Sequence, residues 1–154
     1  MAAELDLYRS PDQAFVRHIA AYPDGFSFLL VARLREPWKS FFPALEGMMS
    51  LRPRAEKGPQ KIHLAVGFAD KTEIDTGYSG MPCDFSILEM MGGSGSGDQY
   101  WESEFWCPRL PARGNVTFRL DWVAGGVENA EAILDGKLLR DAAKRARPLW
   151  SEAL

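Results

Sequence analysis

Apolar and polar positions alternate with a period of two along most of this chain, and that alternation predicts strands. Ala14 to Ala21, with Phe15, Val16 and Ile19, reads as the first of them. Tyr22-Pro-Asp-Gly25 then has turn chemistry: proline presets the first central φ, aspartate tolerates the second, and glycine accepts the exit. From Phe26 to Arg35, Phe26, Phe28, Leu30, Ala32 and Leu34 share one face, and Ser27, Leu29, Val31, Arg33 and Arg35 the other. The two runs predict a β-hairpin. Lys61 to Phe68 sets Ile62, Leu64, Val66 and Phe68 against His63, Ala65 and Gly67. Shorter strands are predicted at Thr72 to Thr76 and Asp84 to Met90.

The stretch from Met90 to Leu120 holds a glycine-rich loop (Met91 to Asp98), an aromatic strand (Tyr100 to Cys107) and a proline corner (Pro108-Arg-Leu-Pro111). An apolar strand, Val116 to Trp122, follows, and the core is expected to be built around this pair of strands. Val127 to Leu134 is an eighth strand candidate, although its alanines and glutamates are weak strand formers. A helix is expected from Asp135, which can cap it, to Arg147. Leu138, Leu139, Ala142, Ala143 and Ala146 form its one-sided stripe, Pro148 stops it, and Leu149 and Trp150 dock it on the sheet.

Residues 1–13 read as a loose lead-in, and 36–60 as a long connection with four prolines and a short helix near Phe42 to Leu51. Strands this short, separated by turn signals, argue for antiparallel β. The expected fold is one domain over 1–154: a mainly β, two-sheet antiparallel β-sandwich with a C-terminal helix, or alternatively a half-open barrel.

Composition narrows the function classes only slightly. A chain of 154 residues with 46% hydrophobic and 25% charged positions can bury a sizeable core. A formal net charge of −3 gives no electrostatic case for nucleic acid or for an acidic membrane surface. The first residues lack the basic start and apolar run of a signal peptide, and no apolar run reaches the ~18 residues of a membrane helix. The expectation is a cytoplasmic protein with Cys83 and Cys107 as reduced thiols.

Ala21-Tyr-Pro-Asp-Gly-Phe-Ser-Phe28, Val66-Gly-Phe-Ala-Asp70, the glycine loop, the proline corner and Leu134-Asp-Gly followed by Asp141-Ala-Ala-Lys-Arg-Ala146 occur in that order. In this the chain resembles an uncharacterised family of small β-rich proteins found mainly in high-GC Gram-positive bacteria. The resemblance implies one domain and a bacterial cytoplasm, and no functional residues.

No motif identifies a reaction or a ligand. The run Gly92 to Gly97 is followed by Asp98 and a strand. It therefore lacks the Gly-Lys-Ser/Thr ending of a phosphate loop and the helix that a dinucleotide loop must open. It reads as a flexible hairpin tip, or as a binding loop that orders on contact. Tyr100, Glu102, Glu104 and Trp106 share one face of the aromatic strand, opposite Trp101, Phe105 and Cys107. The two carboxylates lie about 7 Å apart by strand rise, a spacing open to acid–base work. Pairing with Thr117, Arg119 and Asp121 of the next strand is the plainer reading. Trp106 is expected to be partly exposed. His18, His63, Cys83 and Cys107 have no zinc-motif spacing, so no metal and no cofactor is assigned.

The expected binding surface is thus Gly93, Gly95, Gly97, Asp98, Tyr100, Glu102, Glu104 and Trp106. The expected function is a non-catalytic binding or protein-interaction module. Its partner would be a second copy or another protein, with no nucleic acid or membrane. The alternative is a small-ligand-binding protein or enzyme with its site between the glycine loop and the Glu102/Glu104 face.

Overall fold

The computed structural model describes residues 5–10, 12–33, 63–76, 87–95, 100–122 and 127–147, with backbone alone at 5–10, 12–13, 93–95 and 122. Nine strands are present among them: β1 (Leu5–Ser10), β2 (Asp12–Tyr22), β3 (Gly25–Arg33), β4 (His63–Phe68), β5 (Glu73–Asp75), β6 (Glu89–Gly95), β7 (Tyr100–Cys107), β8 (Asn115–Trp122) and β9 (Val127–Asp135). One helix, α1 (Gly136–Arg145), follows β9. The strands form a five-stranded sheet, ordered β1-β2-β3-β7-β6, and a four-stranded sheet, ordered β5-β4-β8-β9. Every ladder is antiparallel. The sheets pack face to face as the expected sandwich, and among the described residues no ladder joins them into a barrel.

The alternation read from the sequence sets the core. Phe26, Phe28, Leu30 and Ala32 of β3, and Trp101, Phe105 and Cys107 of β7, point inward from the larger sheet. Leu64, Val66 and Phe68 of β4 meet them from the smaller sheet, with Val116, Phe118 and Leu120 of β8. Phe118 is central: its ring lies edge-on to Phe28 at 5.0 Å and to Phe26 at 6.3 Å.

Four expectations are corrected. First, β7 and β8 are not partners but lie in opposite sheets. The link between them, Pro108 to Gly114, holds two prolines that lack a ladder N–H, and buried Pro111 carries the chain across the sandwich. Second, the lead-in 1–13 contains β1, which pairs with β2 and lies against β9 at one margin. Third, of the strand expected at Asp84 to Met90 only Ile87 onward lies among the described residues, and the strand there is Glu89–Gly95, so four of the six residues from Gly92 to Gly97 are ladder. Gly92, Gly93, Ser94 and Gly95 stand opposite Glu104, Ser103, Glu102 and Trp101. Backbone ladders need no side chains, which is why an apolar pattern does not reveal this one. Fourth, Leu138 of the helix stripe is 40% exposed, whereas Leu139 and Ala143 are buried.

The hairpin turn is Pro23-Asp24, with Tyr22 opposite Gly25. Gly25 does not take a positive φ. Its reason is space: a Cβ there would lie 2.3 Å from the Cys107 carbonyl oxygen and 2.7 Å from the Trp106 ring. A bulge in β2 places two residues, His18 and Ile19, opposite Phe28, and His18 takes φ 51°.

Helix α1 begins where Asp135 accepts a hydrogen bond from the Lys137 N–H at 2.8 Å. It packs against β2, β8 and β9 and sends Leu139 into the core, so it covers one end of the sandwich. The expected helix in the 36–60 connection, and Pro148, Leu149 and Trp150, lie outside the described residues.

Candidate functional site

The strand registers divide the outer face of the larger sheet in two. On β3, Ser27, Leu29, Val31 and Arg33 point outward, opposite Trp106, Glu104, Glu102 and Tyr100 of β7. On the other side Phe15 stands opposite Val31, and Arg17 opposite Leu29. The four β7 side chains singled out in the sequence do share this face, but they belong to different neighbourhoods.

Tyr100 and Glu102 are held by arginines. Arg17 donates to the Tyr100 hydroxyl and to Glu102 Oε2, each at 3.0 Å, and the Tyr100 hydroxyl donates to the same carboxylate. That last hydrogen bond, together with desolvation, raises the Tyr100 pKa. Arg33 lies between two rings, 5.7 Å from the Phe15 centroid and 5.6 Å from that of Tyr100; Arg17 is 5.9 Å from Phe15. This half of the face is a closed network of cations, rings and a carboxylate. The Glu–Arg pairing expected on the sheet face exists, but with Arg17 of β2. Arg119 lies on the smaller sheet, where it joins Glu73 and Glu131 at 2.7 Å each.

Glu104 and Trp106 line an open groove of about 560 Å³ at the hairpin end of the face. Its other walls are Tyr22, Pro23, Asp24, Ser27, Met91, Ala146 and Arg147. The Tyr22 and Trp106 rings lie 5.8 Å apart, tilted by 55°. Met91 is the extra residue of a bulge in β6, which sets two residues, Met91 and Gly92, opposite Glu104. Tyr22 is 45% exposed and Met91 59%, so two large apolar side chains border one opening. Trp106 is partly buried, as anticipated. Glu104, Asp24 and Arg147 make no ion pair among the described residues, and neither does Glu89, which stands opposite Trp106 in the register.

Of the other expected site residues, Gly93 and Gly95 are ladder positions in β6, and Gly97 and Asp98 lie outside the described residues. His18 is exposed at the β2 bulge. His63, on the smaller sheet, places Nε2 3.2 Å from Oδ2 of buried Asp75. Cys107 is a free thiol in the core, where burial pushes its pKa up to about 12 and so removes thiolate character. Cys83 lies outside the described residues. Among the described residues no three of His, Cys, Asp and Glu cluster as metal ligands, and no helix is long and apolar enough to cross a membrane.

The sequence pointed to Glu104 and Trp106 but not to the other groove residues, Tyr22, Pro23, Asp24, Ser27, Met91, Ala146 and Arg147. The first three flank and form a recognised turn, and Trp106 overlies that turn through a pairing of strands about eighty residues apart. No family model, curated protein or solved structure matches the chain.

Proposed function

We propose that the chain is a non-catalytic recognition module whose binding surface is the groove between the β2–β3 turn, Met91 and the end of α1. The observation that carries this reading is the exposure of Tyr22 and Met91 around the Trp106 ring at one concave place. Exposed apolar groups gathered at an opening mark interaction sites more often than scattered ones do. Glu102 supports the same reading from the other side. Its pairing with Arg17 and Tyr100 commits it to a structural network, so the Glu102/Glu104 pair is not free for acid–base work.

Solvent mapping tests this without assuming a ligand. Phenol and acetonitrile, titrated separately into isotopically labelled protein, should shift the Met91 methyl and Trp106 indole resonances before any others. A response spread evenly over the surface, or concentrated on the smaller sheet around Ile133 of β9, itself 60% exposed, would overturn the assignment of the groove. Sedimentation of the wild type and of Met91→Glu tells whether the partner is a second copy: a self-association lost in the variant identifies it as one.

A further inference from the structure

The two halves of the outer face are built from the same chemistry, and among the described residues only one of them holds its own cations. In the first, Phe15 and Tyr100 supply rings and Glu102 a carboxylate; Arg17 and Arg33 supply the cations that lie over the rings and neutralise the acid. In the second, Tyr22 and Trp106 supply rings, and Glu104 and Asp24 carboxylates, with Glu89 on the same face. No cation of the described residues lies over either ring or pairs with any of these acids. Arg147 lines the groove without doing so.

Resting on the reading of the groove as a binding site, we infer that it receives an arginine or lysine side chain from a basic, extended segment of a partner protein. Aromatic faces attract a cation through their quadrupole, and a carboxylate at the rim pairs with its head while the apolar stem covers the rings. The chain uses the same arrangement again at Arg109, which lies 4.5 Å from the Phe68 centroid and pairs with Asp70. A peptide suits the site better than a free amine for one structural reason. Met91 comes from β6, the last strand of its sheet, and no described strand pairs with the outer side of β6. An extended segment laid along that edge gains main-chain hydrogen bonds while one side chain enters the groove.

The experiment uses the full chain and four probes: a blocked pentapeptide with a central arginine flanked by leucines, the same peptide with lysine, the same peptide with glutamate, and tetramethylammonium. The arginine or lysine peptide should shift the Trp106 indole and Met91 methyl resonances, more weakly as salt is raised. Glu104→Gln with Asp24→Asn, which keeps shape and removes charge, should weaken binding about three- to tenfold. Arg147→Gln should tighten it. Unchanged affinity in the double variant, with its other resonances in place, would overturn the inference. So would binding of the glutamate peptide alone, of tetramethylammonium alone, or of no probe. If phenol still maps to the groove in those cases, the groove survives as a site and only its ligand class is wrong.

Discussion

Asp70 shows how a surface side chain acquires a defined state. The Thr72 hydroxyl and backbone N–H both donate to Asp70 Oδ1, and Arg109 pairs with its other oxygen. Together these lower its pKa from 3.8 to about 2, the Thr72 hydroxyl contributing most. A depressed carboxylate favours the folded state above its unfolded value, and that contribution is lost as pH falls through about 2. Titration followed by NMR should give Asp70 a midpoint near 2, and Thr72→Val should move it up toward 3.8. A variant midpoint still near 2 would mean that Arg109 and the backbone N–H of residue 72 set it without the hydroxyl. Single residues were legible in the sequence where the period-two rule governs them, as with buried Trp101 and half-exposed Trp106. Their ionic partners were not. Glu102 pairs with Arg17, 85 positions away, and no local pattern encodes that distance.

At the scale of elements, the β2–β3 hairpin was legible because its turn and its alternation agree. The glycine of that turn was legible as a type of residue but not in its role, which belongs to the neighbouring strand β7. Gly25→Ala should therefore cost about 3 kcal/mol, because the methyl meets a backbone carbonyl and an indole ring rather than open space. Denaturant unfolding measures this, and a loss below about 1 kcal/mol would show that Trp106 moves aside freely. Gly92 is the natural control: a Cβ there meets nothing within 4 Å. β1 and the glycine half of β6 escaped the sequence reading for a common reason. Margins of a sheet need few inward apolar residues, so the period-two signal fades where the ladder does not.

For the whole molecule, the fold class followed from strand spacing, but the assignment of strands to sheets did not. Chain order sets β7 beside β8, and Pro108 and Pro111 instead send the two to opposite layers. The expectation that Trp101, Phe105, Phe118 and Leu120 are buried together holds all the same, because inward faces of facing sheets meet as surely as those of adjacent strands. Phe118→Ala removes the ring that touches both Phe26 and Phe28 across the interface. It should lower stability by roughly 3–5 kcal/mol in denaturant titration. A cost below about 1 kcal/mol would place the centre of the core elsewhere.

The first residue of α1 is wedged. A Cβ on Gly136 would lie 2.2 Å from the Gly114 carbonyl oxygen and 3.0 Å from Pro111, and Gly114 itself takes φ +68° with no room beside Ala69. The helix then runs about 15 Å to Ala146 and Arg147, which wall the groove. That tight start, with Leu139 seated in the core, fixes where the far end of the helix stands. A side chain added at Gly136 or Gly114 therefore displaces a wall of the groove that it does not itself touch.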